Sequence, residues 1–209
     1  MIDILFLDWD GLLVESHFFY YEQVKTVFNA CSQTPPSLKT FKRWVSVLGV
    51  KGFYEKYGIR IPYSEVRKIE KEYRRTHNEM TVSHEAHLLI AVCRTRNIKT
   101  IVLSNNHKGI IRKVLAKSHL LVDEVHSSKD KAESIIQIAQ RHNVDPKNIL
   151  FAGDTVQDIL AGKKAGVKTL GYSGGYHTHA QIRSAQPDFG CDKKFSSLQQ
   201  VTELIVKNT

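Results

Sequence analysis

Short apolar runs rich in β-branched residues recur along the chain and alternate with amphipathic segments. Runs with the length of a buried strand occupy residues 2–7, 99–103, 148–152 and 167–172. Between the last three, residues 129–143 and 155–166 place apolar side chains at helical spacing. Strands that alternate with helices in this order are typical of a parallel sheet covered by helices on both faces. The pattern therefore predicts an α/β fold.

Residues 15–83 interrupt this alternation. They are rich in aromatic residues, as in 17–31, and they show helical periodicity without a convincing strand. We expect this segment to form a small all-helical domain, of about four helices, inserted directly after the first strand. The chain then returns to the sheet through a helix near 83–96. The predicted organisation is a core domain of residues 1–14 and 84–209 with a helical domain inserted at 15–83.

Composition is that of an ordinary globular protein. Of the 209 residues, 42% are hydrophobic and 24% are charged, so a core of normal size can be buried. No apolar run approaches the ~18 residues of a membrane span, and the N-terminus lacks the features of a secretory signal. Cys31, Cys93 and Cys191 lie far apart without a Cys-x-x-Cys pair. We therefore expect a cytoplasmic protein with reduced thiols and no membrane partner.

The net charge is +9, from 30 Lys and Arg against 21 Asp and Glu. The densest basic stretch, residues 67–75, interleaves glutamates with its basic residues at helical spacing. This spacing is typical of a solvated helix face, so we do not expect nucleic-acid binding. Attraction of a small anionic substrate explains the charge equally well.

Polar side chains follow the predicted strands at the edge where parallel α/β sheets bind their ligands. The candidate residues there are Asp8, Asp10, Ser104, Asn105, Lys129, Lys131, Asp154 and Asp158. Taken alone, a Gly-Asp turn or a Ser-Asn helix cap has a structural explanation. Two acids two positions apart at the end of an apolar strand, Asp8 and Asp10, have few such explanations. Their charges repel unless a cation or a proton separates them.

Oxygen ligands without a nearby cysteine favour a hard cation, and Mg²⁺ is typically held by a few carboxylates together with substrate phosphate. The sequence therefore predicts Mg²⁺ beside Asp8, Asp10 and Asp154. One carboxylate could attack phosphorus, and a second could act as general acid and base. A lysine, the Ser104 hydroxyl and loop N–H groups near Gly11 could stabilise the phosphoryl group. The histidines of residues 176–179 lack further ligands and are interpreted as part of a polar loop.

Three segments in order resemble motifs of one family. Residues 5–13 (LFLDWDGLL), 101–106 (IVLSNN) and 149–158 (ILFAGDTVQD) resemble the first, second and fourth motifs of the haloacid dehalogenase-like (HAD) superfamily of phosphohydrolases. Residues 165–189 are similar to the corresponding stretch of phosphoglycolate phosphatase-like members. The resemblance implies a Rossmann-like HAD core with a helical cap. It also implies a Mg²⁺-dependent phosphatase acting on a small phosphorylated metabolite, a phosphoglycolate-like phosphomonoester.

The resemblance also implies a role for each candidate residue. Asp8 would be the nucleophile and Asp10 the general acid and base. Mg²⁺ would be held by Asp8, the Asp10 backbone carbonyl and Asp154, with Asp158 supporting it through water. The residues implied in phosphate binding are Ser104, Asn105, Gly11 and Lys131.

Some assignments stay open at this point. Lys131 opens KAESI, which resembles one variant of the third motif, whereas Lys129 has the spacing of a second variant without its prolines; we favour Lys131. Leu12 stands where the family usually has threonine, which removes a hydroxyl near the acid and base. Cap residues that could contact the substrate are Lys51, Tyr54 and Lys56.

Three alternative functions also remain. Hydrolysis at carbon, as in dehalogenases, is disfavoured by Asp10, because a halide leaving group needs no proton donor. A phosphosugar mutase would use the same two carboxylates, Asp8 and Asp10. A catalytically weak binding or regulatory module is favoured by Leu12, but the presence of all four acids argues against it.

Overall fold

The computed structural model describes residues 1–60 and 80–208, together with positions 62, 64, 65, 68, 71, 72 and 75. Part of the predicted helical segment 15–83, including most of the basic stretch 67–75, therefore lies outside the described residues. The description that follows concerns the core sheet, its helices, and the part of the inserted segment within residues 15–60.

A five-stranded sheet in the order β3-β2-β1-β4-β5 forms the centre of the protein. The strands are β1 (Ile4–Leu7), β2 (Lys99–Ser104), β3 (Glu124–Ser127), β4 (Ile149–Gly153) and β5 (Lys168–Gly171). All four pairings are parallel. Every residue of β1 and β4 is buried, as expected for central strands covered on both faces. The predicted α/β fold with a parallel sheet is confirmed.

Strand β3 was not predicted by the apolar pattern. Its sequence is Glu-Val-His-Ser, and Val125 is its only buried residue. The strand lies at one edge of the sheet and pairs only with β2. An edge strand that buries one side chain has no continuous apolar run, so hydrophobic periodicity could not identify it.

Helices cover both faces of the sheet. The helices among the described residues are α1 (Ser16–Ala30) and α2 (Leu38–Lys56) of the inserted segment, followed by α3 (His84–Thr95), α4 (Lys108–Lys117), α5 (Lys131–His142), α6 (Val156–Lys164), α7 (His179–Ser184) and α8 (Leu198–Asn208) of the core. Leu5 and Leu7 of β1 belong to a buried cluster that contains residues of α3, α4 and α8. Ile4 and Phe6 belong to a second cluster that contains residues of α5. Alternate residues of one strand thus pack against helices on opposite faces of the sheet, as strand geometry requires.

The inserted helices α1 and α2 have a hydrophobic cluster of their own. It includes Val24, Phe28, Phe41, Phe53 and Tyr54. The rings of Phe41 and Phe53 pack edge to face, with centroids 5.4 Å apart. This cluster is separate from the two that flank the sheet. The domain boundaries at 14/15 and 83/84 stay a prediction.

The cysteines form no disulfide with one another. Cys31 is exposed, Cys93 is buried and Cys191 is half-buried, and all three are free. Burial raises the pKa of the Cys93 thiol to about 12, so this thiol stays protonated and packs as an apolar residue. Among the described helices, none is both long and apolar enough to cross a membrane.

Glu124 ties the edge strand β3 to α5, the helix that begins at Lys131. Its carboxylate is 2.7 Å from His126 Nε2 and 2.6 Å from His142 Nε2. Arg141 forms an ion pair with the same carboxylate. Burial alone would raise the pKa of Glu124, but the hydrogen bonds from His126 and His142 and the charge of Arg141 hold it below its ordinary value.

We expect Glu124→Gln to lower the free energy of unfolding at pH 7 by about 1 kcal/mol. The folded-state pKa lies below the ordinary value of 4.5, so the ionised carboxylate stabilises the fold above that pH. This contribution is lost as the pH falls through the lower folded-state value. Urea unfolding at pH 7 and in acid measures it, with the exposed Glu203→Gln as control. An equal loss at both pH values would contradict the assignment.

Candidate active site

The strand ends surround one cavity of about 580 Å³. Asp8 directly follows β1, Ser104 ends β2 and Asp154 follows β4. Asp158 lies in the first turn of α6. The residues predicted from the sequence that line this cavity are Asp8, Asp10, Ser104, Asn105, Lys129, Lys131, Asp154 and Asp158. The parallel sheet thus brings together side chains that are far apart along the chain.

Three carboxylates form the centre of the site. One ligand oxygen from each of Asp8, Asp154 and Asp158 lies within 4.8 Å of the other two, and all three residues are buried. Asp154 is fully buried. Its Oδ2 accepts a hydrogen bond of 2.6 Å from the Tyr176 N–H. Its Oδ1 has no hydrogen-bond partner within the described part of the chain.

Lys131 is the cation of this cluster. Its Nζ lies 2.7 Å from Asp8 Oδ1 and 2.6 Å from Asp158 Oδ1. Burial alone would lower the pKa of Lys131, but the charges of Asp158 and Asp8 raise it above its ordinary value, so the ammonium stays charged. Lys129 also lines the cavity, but it is exposed.

One lysine does not balance three buried carboxylates. Burial raises the pKa of Asp8 to about 7; the Lys131 charge opposes this rise, and the charges of Asp158 and Asp10 add to it. Burial, with the charges of Asp8 and Asp158, raises the pKa of Asp154 well above its usual range. A hard divalent cation would stabilise all three ionised groups, and the unpartnered Asp154 oxygen is a suitable ligand for it. The residues therefore fit Mg²⁺.

Asp158 is fixed by the helix that carries it. Thr155 caps α6: the Thr155 N–H donates to Asp158 Oδ2 at 3.1 Å, and the Asp158 N–H donates to Thr155 Oγ1 at 3.2 Å. This capping box leaves the other carboxylate oxygen, Oδ1, for Lys131. Residues 154–158 (Asp-Thr-x-x-Asp) therefore place two carboxylates at one helix start.

Gly11 allows a close approach of two loops. It has φ +82°, and a Cβ at this position would lie 2.0 Å from Asp154 Oδ2. A Cβ at Gly175 would lie equally close to the same atom. The Gly11 N–H donates to the Val14 carbonyl at 2.8 Å. The glycine is thus required by the Asp154 carboxylate, and its part in phosphate binding stays a prediction.

Leu12 packs inward. Its side chain is 4% exposed and belongs to the same buried cluster as Leu5 and Leu7. The apolar residue at this position therefore contributes to the core of the domain, which gives a structural reason for leucine here.

Asn106 is a site residue that the sequence did not reveal. Its side-chain amide donates a hydrogen bond to Asp10 Oδ2, and its backbone N–H donates to Ser104 Oγ at 3.1 Å. Asn106 thus orients both the candidate acid and base and the candidate phosphate ligand. The neighbouring Asn105, which we predicted as a phosphate ligand, is exposed and lines the cavity.

His177 supports the site from a distant loop. Its Nδ1 accepts a hydrogen bond of 2.9 Å from the Val156 N–H at the start of α6, and the backbone N–H of His177 donates to the Asp154 carbonyl at 3.3 Å. Burial lowers the pKa of His177, in keeping with a neutral ring that accepts at Nδ1. The sequence interpretation of residues 176–179 as a polar loop did not identify this supporting contact.

The inserted helices contribute a different part of the cavity wall than we expected. Its described residues from these helices are Tyr20, Val45, Gly49 and Val50. The candidates named from the sequence lie elsewhere. Tyr54 is buried in the helical cluster, Lys51 lies 3.6 Å from Glu55, and Lys56 Nζ lies 4.1 Å from the Trp44 ring centroid.

Comparison with known proteins agrees with this geometry. A family model described as haloacid dehalogenase-like hydrolase matches residues 2–166. The phosphoglycolate phosphatase of Escherichia coli (strain K12) is 35% identical over 66 residues, which are 32% of this chain. The match spans only 26% of that relative, about a quarter of its length.

Two solved structures share the fold. A haloacid dehalogenase-like family hydrolase from Streptococcus pneumoniae superposes with a TM-score of 0.76 at 18% identity, over 98% of both chains. A HAD family hydrolase from Deinococcus radiodurans R1, solved with bound phosphate and sodium, gives a TM-score of 0.77 at 17% identity. That superposition covers 99% of this chain and 96% of the other. At these identities the likeness establishes the fold alone.

Proposed function

The chain belongs to the haloacid dehalogenase-like hydrolase family, and we propose that it is a Mg²⁺-dependent phosphatase that hydrolyses a small phosphorylated metabolite through an aspartyl-phosphate on Asp8. The observation that carries this proposal is the cluster of three buried carboxylates beside the ammonium of Lys131, which lies 2.7 Å from Asp8 Oδ1. The phosphate and sodium in the Deinococcus radiodurans structure support a site for a phosphoryl group and a cation. The name of the Escherichia coli relative makes phosphoglycolate one compound to test.

The first half of the reaction transfers the phosphoryl group to the protein. An Asp8 carboxylate oxygen attacks phosphorus, and the bond from phosphorus to the leaving oxygen breaks. Asp10, oriented by Asn106, donates a proton to that leaving oxygen. Lys131 and the Ser104 hydroxyl stabilise the negative charge on the phosphoryl oxygens.

The second half returns Asp8 to its starting state. Asp10, now ionised, takes a proton from a water molecule, which attacks phosphorus and releases phosphate from Asp8. Asp8, Asp154 and the Asp10 backbone carbonyl would hold Mg²⁺, with Asp158 in support. When bound, the ion supplies positive charge for the carboxylates and the phosphoryl oxygens.

Phosphate release tests the proposal. We expect hydrolysis of p-nitrophenyl phosphate and acetyl phosphate in the presence of Mg²⁺, and loss of this activity in EDTA that excess Mg²⁺ restores. Mg²⁺ is also expected to raise the melting temperature of the wild type more than that of Asp154→Asn, which lacks one ligand charge. A folded protein that releases no phosphate from any ester in a metabolite panel would favour the binding-module alternative.

Asp10→Asn is expected to accumulate the phosphoenzyme. Asparagine can neither protonate the leaving oxygen nor take a proton from water, so turnover of p-nitrophenyl phosphate should fall by about 10²–10⁴-fold. Acetyl phosphate has a leaving group that needs little protonation, so it should still phosphorylate Asp8. Intact-mass spectrometry after an acid quench measures the trapped adduct. An unchanged turnover rate would contradict the role given to Asp10.

A further inference from the structure

The cavity has two chemically different walls. The charged residues of the carboxylate cluster lie on the sheet side. The described residues that the inserted helices contribute, Tyr20, Val45, Gly49 and Val50, include no charged side chain. Helix α6 adds Leu160 and Ala161 to the lining, together with Gln157 and Lys164. The wall formed by the described residues of the inserted helices is therefore uncharged, and Leu160 and Ala161 extend its apolar part.

The backbone of α2 is shaped to present this apolar wall. Residues five positions apart on a straight helix point about 140° away from each other, so Val45 and Val50 could not both face one cavity. Gly49 interrupts the helix with φ +67° and ψ 175°, and both valines line the cavity. The kink falls between the two residues it reorients.

Apolar side chains that line the cavity stay exposed on two helices. Val50 of α2 is 37% exposed and Leu160 of α6 is 53% exposed. Single exposed apolar residues are common, but two that line one cavity offer a shared apolar contact to a bound molecule.

We propose that the group esterified to phosphate is uncharged and presents an apolar face to Val45, Val50 and Leu160. This inference rests on the proposed phosphatase function and narrows its substrate class. It predicts that phosphoglycolate, whose leaving group carries a carboxylate, is a poor substrate. Burial of a carboxylate against aliphatic side chains without a partner is strongly unfavourable.

Among the described cations that line the cavity, Lys131 and Lys164 lie beside acids, with Lys164 3.6 Å from Asp130, whereas Lys129 is exposed at the rim. Lys42 of α2 does not line the cavity; burial lowers its pKa, and the charges of Asp154 and Glu15 oppose this shift. Lys42 and Lys129 are thus the described residues to test as ligands of a substrate carboxylate, and the experiment below includes both.

A matched pair of esters tests whether the site prefers an uncharged leaving group or one that carries a carboxylate. Benzyl phosphate and 4-carboxybenzyl phosphate have nearly the same leaving oxygen and differ by one remote carboxylate. We expect kcat/KM to be about tenfold or more higher for benzyl phosphate. The corresponding phosphonates, which are not hydrolysed, should show the same preference in dissociation constants measured by isothermal titration calorimetry.

Variants of the apolar wall give a second readout. Val50→Asn and Leu160→Asn should each lower the ratio of kcat/KM for benzyl phosphate to that for acetyl phosphate by about tenfold. Val47→Asn is the control, because Val47 is exposed on the same segment and does not line the cavity. An equal loss for both esters would mean that these side chains do not contact the leaving group, and it would overturn the inference.

Preference for the carboxylated ester or phosphonate would also overturn it, and loss of that preference in Lys42→Met or in Lys129→Met would identify the carboxylate ligand. Failure of the phosphatase proposal has a different result. No phosphate is then released from any ester, including acetyl phosphate, while the phosphonate dissociation constants still decide whether the apolar wall selects an uncharged group.

Discussion

Replacement of Asp8 by asparagine is expected to lower phosphate release by about 10⁴-fold or more, because the neutral amide cannot attack phosphorus. The side chain keeps its size, so the cavity should keep its shape. Steady-state phosphate release from p-nitrophenyl phosphate measures the loss. Acid-quenched wild-type protein should carry a phosphoryl group on the peptide that contains Asp8, and the variant should carry none.

The same substitution should not destabilise the metal-free protein. Burial holds the pKa of Asp8 at about 7, which shows that the ionised carboxylate is unfavourable in this position without a further cation. A neutral asparagine removes one of the mutually repelling charges. Thermal unfolding in EDTA should therefore give a melting temperature for Asp8→Asn at least equal to that of the wild type.

Asp192→Asn is a suitable control for Asp8→Asn, because Asp192 is exposed and does not line the cavity. It should change neither phosphate release nor melting temperature. If Asp8→Asn kept a tenth or so of the wild-type rate, or if the phosphoryl group were found on another residue, Asp8 would not be the nucleophile.

The parts of the fold that the sequence predicted are those that bury continuous apolar surface. Strands β1, β2, β4 and β5 each bury most of their residues, so each appears as an apolar run. Helix α4 was not predicted, although Ile111, Val114 and Leu115 are buried at helical spacing. Its segment is short, and residues 107–117 begin with a histidine cap that is uncommon as a helix signal.

The residues of the candidate site also fall into some that the sequence predicted and some that it did not. Asp8 and Asp154 directly follow strands, so strand prediction alone placed them at one edge of the sheet. Asn106 and His177 act through contacts with residues 96 and 21 positions away. No local pattern encodes such contacts, because they depend on how the loops pack after the sheet has formed.

The residues of the inserted helices that line the cavity were not identified from the sequence for a related reason. Helical periodicity shows that a segment has an apolar face, but it does not show what covers that face. Tyr54 lies on a face that packs within the helical cluster, whereas Val50 lies beside the cavity. Val50 directly follows Gly49, whose positive φ interrupts the helix, so its direction cannot be read from regular helical spacing.

Replacement of Lys131 is the second substitution with a large expected effect, and it decides between Lys131 and Lys129 as the lysine that binds the phosphoryl group. We expect Lys131→Met to lower kcat/KM by about 10²–10³-fold, as removal of one preorganised donor to a developing charge typically does. Methionine keeps most of the length of the side chain but cannot contact Asp8 or Asp158 as a cation. Lys129→Met, at the exposed rim of the same cavity, should stay within a few-fold of the wild type.

Stability provides an independent measurement of the same assignment. Lys131→Met leaves three buried carboxylates without their cation, so the free energy of unfolding in EDTA should fall by about 3–5 kcal/mol at neutral pH. Mg²⁺ should restore more stability to this variant than to Lys129→Met, because the added ion replaces the missing positive charge. Urea unfolding with EDTA and with Mg²⁺ measures both quantities. A larger loss of activity and stability in Lys129→Met than in Lys131→Met would exchange the roles of the two lysines.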